Sequence, residues 1–186
     1  MRISRRFIGY QTSSDLHTLR QRDTIIMTWH LSHRADPRAL PLANRHYSRQ
    51  TPDSIQFVKP GRCLVLWQPK ALWVTSWPFA EHTKHEWAGA WECSLFRNEG
   101  AGLSSDLICE AVCATRWKYG DPPSEGFVSF VDSSKVKDGE PGYCYRCAGW
   151  DRAGKTQGGL HAWQLPPSEM PNAKPPVGAS KKLAFA

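Results

Sequence analysis

The sequence predicts a three-layer α/β domain built around a mixed sheet. Segments with strand patterns alternate with helical segments along the 186 residues, in the order strand, helix, three strands, helix, strand, short helix, strand. One strand, residues 127–132, is a continuous apolar run typical of the middle of a sheet. A content of 40% hydrophobic and 22% charged residues is that of a globular protein, which excludes a fully disordered or fibrous chain.

The first half of the chain predicts three strands and one helix. Asp36-Pro37 and Leu40-Pro41 both offer helix starts, and Leu40, Ala43 and Tyr47 share a helical face, so we expect a helix to about Arg49. The polar composition of residues 79–90 predicts a loop. The strands are the alternating segment 28–32 and two apolar runs, 62–68 and 71–77, which form a hairpin through Pro69-Lys70.

The second half predicts the remaining strands and helices. Ser104-Ser105-Asp106 is typical of a helix cap, and apolar residues at helical spacing continue to Trp117 before Gly120 and Pro122-Pro123 stop the helix. Gly142 to Trp150 is a short aromatic helix. The strands are 91–98, 127–132 and 160–165.

The chain divides into a folded domain at 27–165 and two tails. Residues 1–26 predict a flexible basic arm or a start codon assigned too far upstream, and 166–186 predict a Pro- and Lys-rich disordered tail. Five arginines against two aspartates in the first tail, and three lysines against one glutamate in the last, carry most of the net charge of +7. That charge is therefore more typical of solvated arms than of a specific nucleic-acid surface.

Neither a secretory signal nor an apolar run long enough to cross a bilayer is recognisable. The sequence lacks an apolar segment after the basic N-terminus and an uncharged run of about 20 residues. We therefore predict a cytoplasmic protein without a membrane partner. The oligomeric state is left open.

The six cysteines predict free thiols rather than a metal site. Cys144 and Cys147 have CxxC spacing, and Cys109 and Cys113 would share a helix face, so a four-thiolate zinc site is an alternative. The second pair is not CxxC, and its aromatic and apolar neighbours suit buried reduced thiols.

A glycine-containing loop between a strand and a helix predicts a phosphate site. Arg97 to Gly102 follows the strand 91–98, and Ser104 and Ser105 open the next helix. Gly100 and Gly102 would let the backbone approach a pyrophosphate, while Arg97 or the serines could contribute charge or hydroxyl donors. The alternative is a simple turn.

These segments together resemble the GNAT acyltransferase superfamily. Its [Q/R]xxGx[G/A] motif corresponds to Arg97-x-x-Gly100-x-Gly102, and its downstream tyrosine, four residues before a Gly-aromatic pair, corresponds to Tyr145 before Gly149-Trp150. The resemblance spans about 91–165 and implies a GNAT-like fold with a mostly antiparallel sheet. It also implies acyl-coenzyme A (acetyl-coenzyme A) as cofactor, with Tyr145 protonating the departing thiolate. Two glycines and a proline before Tyr145 depart from the pattern and shorten the helix.

A narrower set of residues is similar to phage proteins of the Mom type, which modify adenine in DNA and protect it from restriction. The similar segments are Asn44 to Ser48, Phe96 to Glu99, Phe130 to Asp132, and Gly142 to Tyr145. The resemblance implies DNA as partner, the host cytoplasm as location if phage-encoded, and iron as a further candidate cofactor. It places functional roles on His46, Tyr47, Asp132, Tyr143 and Tyr145. The glycine loop and the two resemblances together give the predicted cofactor-binding residues, which are Phe96, Arg97, Asn98, Gly100, Gly102, Ser104 and Ser105.

The chemistry of several of these residues can be interpreted without the resemblance. Asp132 ends a buried strand, where a raised pKa would make it a base, or it caps the following turn. His46 could act as a base, a metal ligand or a phosphate donor, although a lone helical histidine is usually none of these. His82 and His85 are predicted to be surface residues. Trp87 and Trp91 flank the polar loop and could stack on an extruded base.

The leading hypothesis is therefore a GNAT-like enzyme that modifies a nucleobase in DNA. In the structure we expect Asp132 near His46 or Tyr47, with Tyr145 facing the same opening. The same-fold alternative is an acyl-CoA-dependent N-acetyltransferase of a small amine or a protein. The alternative from another class is a non-catalytic nucleic-acid-binding module in which basic tails and cysteine-bound zinc dominate.

Overall fold

A computed structural model describes residues 25–179, except 53, 59, 79–84 and 137–138. It confirms the α/β class, with a seven-stranded mixed sheet and three short or medium helices in the described ranges. The strands are β1 His30–Ser32, β2 Arg62–Gln68, β3 Ala71–Trp77, β4 Trp91–Asn98, β5 Phe127–Val131, β6 Asp151–Lys155 and β7 His161–Leu165. The helices are α1 Leu40–Asn44, α2 Ser104–Tyr119 and α3 Tyr143–Cys147.

The strand order is β1-β2-β3-β4-β5-β7-β6, and only the β4–β5 pair is parallel. The predicted hairpin of β2 and β3 is present, in register from Arg62 opposite Trp77 to Gln68 opposite Ala71. A parallel pair needs a crossover connection, and α2 supplies it between β4 and β5. The sheet is thus mostly antiparallel, with one parallel step at its centre.

Helices cover the sheet on both faces. On one face, which we call the α2 face, side chains of α2 and α3 pack with the inward residues of the strands, among them Trp73, Trp91 and Phe127. On the opposite α1 face, Leu42 and Ala43 pack with Val65, Val74 and Leu95. Consecutive residues of β2 and β3 point to opposite faces of the sheet, and both faces are covered. These strands are therefore continuous apolar runs in the sequence.

Two predicted element boundaries are wrong, and one strand was not predicted. α1 ends at Asn44, not near Arg49, and residues 45–49 leave the helix as a turn. α2 begins after Leu103 without a capping side chain, so Ser104 and Ser105 lie inside its first turn. β6 was not predicted, because all five of its residues are exposed at the edge of the sheet and have no apolar alternation.

The prediction of a free tail from Pro166 is wrong for residues 166–179. Met170 is 6% exposed and belongs to the core on the α2 face. The Lys174 amide donates to the Cys113 carbonyl at 3.1 Å, and the Val177 amide donates to the Trp29 carbonyl at 2.8 Å. Of the predicted arm 1–26, all but Ile25 and Ile26 lie outside the described residues, as do 180–186.

No helix in the described part of the chain is long and apolar enough to cross a membrane.

Candidate functional site

The centre of the sheet contains a gap between the two parallel strands. β4 and β5 pair only at three positions, ending with Cys93 opposite Ser129. Directly after Cys93, β4 has a bulge: Val74 faces Leu95 and Thr75 faces Cys93, so Ser94 is the additional residue. A bulge bends its strand, and the last residues of β4 therefore diverge from β5. We call the space beyond Cys93 and Ser129 the β4–β5 gap.

Tyr145 lies at the vertex of this gap, buried on the α2 face, so the expectation that it faces the same opening as Asp132 and Tyr47 is wrong. Its hydroxyl is 3.4 Å from the Cys93 sulfur, and its ring is edge-on to Phe96 at 6.5 Å between centroids. Tyr145 is 5% exposed. Burial, with the nearby thiols of Cys93 and Cys144, keeps the pKa of Tyr145 well above its usual range, so the hydroxyl is protonated at neutral pH.

Residues 45–49 cover the gap from the α1 face. The Tyr47 hydroxyl is 3.5 Å from the Phe130 carbonyl and 3.4 Å from the Asp132 amide, both on the β5 side. His46 stacks on Tyr47 with 4.4 Å between ring centroids and lies close to the backbone of Phe96 on the β4 side. The His46-Tyr47 pair thus contacts backbone groups on both diverging strands.

His46 is held as a neutral ring. The Ser48 amide donates to its Nδ1, which leaves Nε2 to carry the proton as the donor available to the Phe96 backbone. Burial and the Arg97 charge lower the pKa of His46 to about 4. The Ser48 amide and hydroxyl engage Nδ1 at 3.3 and 2.7 Å, and Nε2 carries the proton, so the neutral ring offers no free lone pair for the predicted role as general base.

Asp132 lies beside the gap, but its carboxylate caps the following turn. Its Oδ1 accepts hydrogen bonds from the Ser134 amide at 2.9 Å and the Ser134 hydroxyl at 2.7 Å. These bonds lower the pKa of Asp132, so of the two alternatives that the sequence offers the structure has the cap and not the raised pKa. Asp132 is a carboxylate acceptor at neutral pH and not a base poised near 7.

The glycine loop forms the rim of the gap on the α2 face. Asn98 shapes it: its Oδ1 accepts from the amides of Gly100 and Ala101, and its Nδ2 donates to the Gly102 carbonyl and the Ser104 hydroxyl. Gly100 and Gly102 have φ of +92° and +154°, and the space where a Cβ would stand is open at both. The first helical bond runs from Leu107 to Leu103, so the amides of residues 104–106 precede it, and Ser105 lies half-buried in this turn.

Arg97 forms a salt bridge with Glu99 beside the glycine loop. Arg45 binds Glu99 with two hydrogen bonds of 2.8 and 2.7 Å. Arg97 contacts the same carboxylate and donates to the Arg45 carbonyl at 2.6 Å. The two guanidinium groups lower the pKa of Glu99 to about 2. This network fastens residues 45–47 to the end of β4.

The other predicted residues lie away from the gap or inside the core. Tyr143 is 55% exposed and its ring contacts Arg146. Trp87 and Trp91 are 7% and 0% exposed, so neither indole is a stacking surface. His85 is half-buried against Phe130, which corrects its predicted surface position, and His82 lies outside the described residues.

All six cysteines are free thiols. Among the described residues, no group of three or more histidine, cysteine, aspartate or glutamate side chains could hold a metal ion, so the iron that the Mom-type resemblance implies finds no ligand set there.

Sequence reasoning missed four contributors to the site: Ser94, which creates the gap, Cys93 and Ser129 at its vertex, and Glu99. A bulge has no signature in a polar-apolar alternation. Glu99 lies two residues after Arg97 and has the opposite charge. This spacing was the signal that could have predicted an ion pair between them.

Comparison with family models, with curated proteins and with solved structures finds no match for this chain.

Proposed function

We propose that this protein is a GNAT-like group transferase that modifies a nucleobase in DNA. The observation that carries the proposal is the β4–β5 gap, with Tyr145 at its vertex on one face, the glycine loop at its rim, and Tyr47 and His46 on the other face. These side chains come from segments distant in sequence. Shared function is a direct reason for such convergence.

The order of elements supports the same family. The glycine loop follows the fourth strand and opens the long helix, and a strand and a short helix with Tyr145 come next, as the GNAT resemblance requires. The shortened helix is present as α3, which begins at Gly142.

The residues at the rim suit an acyl-coenzyme A. The amides of the first α2 turn and the open space above Gly100 and Gly102 would hold its pyrophosphate. When bound, such a thioester supplies an activated acyl group. Tyr145, protonated and buried, holds a proton at the vertex of the gap for a departing sulfur.

The acceptor would approach from the α1 face. Tyr47 is 46% exposed there, and its hydroxyl lies 3.4 Å from the amide of Asp132, whose ionised carboxylate would accept an N–H of an exocyclic amine. Because the Tyr47 hydroxyl makes only long contacts of 3.4 and 3.5 Å to the β5 side, it can exchange them for a bound base at little cost.

Mass spectrometry of nucleosides tests the proposal. DNA from cells that express the full chain should contain a modified nucleoside, and Tyr145→Phe should reduce it by about 100-fold, the usual contribution of a positioned acid. Tyr119→Phe is the matched control, since Tyr119 is a half-buried tyrosine whose pKa is likewise raised, to about 12, and its ring contacts Trp77 and Trp91 away from the gap. Unmodified DNA with the unaltered protein would contradict the proposal.

A second candidate is an N-acetyltransferase of a small amine or a protein. It is favoured by the buried state of Trp87 and Trp91 and by the pairing of Arg45 and Arg97 with Glu99, which leaves little free positive charge at the gap for a DNA backbone. Acetyl transfer to spermidine or to a peptide N-terminus, with unmodified DNA, would select it.

A further inference from the structure

Three polar side chains form a closed cluster at the vertex of the β4–β5 gap. Cys93 and Ser129 face each other on the last paired position of β4 and β5, and Tyr145 reaches them from α3. The Tyr145 hydroxyl is 3.4 Å from the Cys93 sulfur, and the Ser129 hydroxyl is close enough to both groups to lower their pKa values. Cys93, Ser129 and Tyr145 are 6%, 2% and 5% exposed, so their polar atoms depend on partners within the protein.

The cluster lies in apolar surroundings. Trp150 and Phe96 flank the Tyr145 ring, at 5.1 and 6.5 Å between centroids. Burial raises the pKa of Cys93 to about 12, so its thiol is not a nucleophile at neutral pH. Burial raises the pKa of Tyr145, whereas the Ser129 hydroxyl lowers it. The Ser129 hydroxyl therefore favours negative charge on the Tyr145 oxygen.

We propose that Cys93 and Ser129 are positioning residues for Tyr145, an inference that rests on the proposed transferase function. Together they hold the Tyr145 hydroxyl where β4 and β5 separate, with its proton directed at a sulfur atom. In the unloaded protein that sulfur is Cys93; during transfer it is the leaving sulfur of the thioester. Ser129 supports the charge that the phenol oxygen gains.

The proton balance of the step is complete. The acceptor nitrogen bonds to the acyl carbon, the carbon–sulfur bond breaks, and its electron pair stays on sulfur. Tyr145 gives its proton to that sulfur while the Ser129 hydroxyl donates to the phenolate. The proton lost by the acceptor nitrogen then restores the phenol, so that a thiol and an amide are the products.

Tyrosine NMR tests the positioning without any substrate. In the full chain labelled with carbon-13 at the ζ position of its five tyrosines, the Tyr145 signal is the one lost in Tyr145→Phe. We expect Cys93→Ala and Ser129→Ala each to shift this signal, and Cys93→Ser to restore most of it. Cys113→Ala is the matched control, because Cys113 is a thiol 1% exposed on α2 and outside the cluster. An unchanged Tyr145 signal in both variants would overturn the proposal.

Thiol release from acetyl-coenzyme A, measured with double-stranded DNA or spermidine as acceptor, tests the catalytic consequence. Ser129→Ala and Cys93→Ala should each lower kcat about tenfold or more, with KM for acetyl-coenzyme A nearly unchanged, and Cys113→Ala should lower neither. If the unaltered protein neither binds nor cleaves acetyl-coenzyme A, the transferase function fails and this role with it. If it is active and the two variants match Cys113→Ala, the positioning role alone fails.

Discussion

His46 shows how a single side chain can be determined by the backbone around it. The diverging strands leave the Phe96 carbonyl without a partner from β5, and the neutral imidazole supplies a donor. A charged imidazole there would face Arg97 in a partly dry site. The residue that the sequence suggests as a base therefore acts first as a structural link between residues 45–49 and β4.

The electrostatics of His46 predict a stability that depends on pH. Its pKa in the folded protein is lowered to about 4 from 6.5, so between these values the unfolded chain binds more protons, and stability falls as pH decreases from about 6.5 to 4. The loss should be about 2–3 kcal/mol, since one pKa unit corresponds to about 1.4 kcal/mol. Urea unfolding at pH 7.5 and pH 4.5 measures it.

His46→Gln keeps a donor for the Phe96 carbonyl and should remove most of this pH dependence. The exposed His33 provides the control, and His33→Gln should leave the difference between the two pH values as it is in the unaltered protein. An equal loss of stability in His46→Gln would show that other groups titrate in this range.

Single residues also show which parts of the site could be predicted from the sequence and which could not. The spacing of Tyr145 to Gly149-Trp150 singled it out through the GNAT resemblance, but its contact with Cys93, 52 residues away, could not be predicted from that spacing. The state of Arg97 could not be predicted either, because its guanidinium is bound by Glu99, two residues along, and by the Arg45 carbonyl, 52 residues away. A sequence motif gives the residue type, but the fold determines which residues the Arg97 guanidinium contacts.

At the scale of elements, apolar patterns predicted the buried parts and missed the exposed or irregular ones. β2, β3 and β5 were located because their side chains enter the core. Among the described strands β6 pairs with β7 alone, and its exposed side chains have no apolar pattern that would predict a strand. The bulge at Ser94 is a shift in the pairing register between β3 and β4, and no pattern in the sequence predicts it.

The glycine loop gives a prediction at this scale. Gly100→Val should abolish binding of acetyl-coenzyme A, because the side chain would fill the open space above the loop that a phosphate needs. Gly159→Val is the matched control: Gly159 is also exposed, has φ of +83° against +92° at Gly100, and has nothing within 4 Å of its Cβ position. Both variants carry the same backbone strain.

Calorimetry with acetyl-coenzyme A distinguishes the two variants. Gly159→Val should bind as the unaltered protein does, with a similar loss of stability in both variants. Equal binding by Gly100→Val would mean that the loop is only a turn, as the alternative reading of the sequence has it.

At the scale of the whole molecule, the described C-terminal segment closes the fold. It crosses α2 and joins β1 through a parallel bridge between Val177 and His30. Arg116 on α2 donates to the carbonyls of Met170 and Pro171, and the Lys174 ammonium donates to the Ile25 carbonyl. Its Pro-rich composition resembles a disordered tail because an extended segment bound by backbone hydrogen bonds needs no apolar period.

Truncation after Leu165 should therefore destabilise the protein by several kcal/mol, although the strands of the sheet all remain. The loss combines the exposure of core surface beneath Met170 with buried acceptors such as the Cys113 carbonyl. Met170→Ala alone should cost about 2–4 kcal/mol, as for other large-to-small changes in a core, and Val177→Ala, at a residue 41% exposed, less than about 1 kcal/mol. Urea unfolding of the three variants measures these differences. If the truncated chain unfolds at the same urea concentration as the full chain, the segment contributes nothing to the fold, and the contacts of Met170 and Lys174 are incidental.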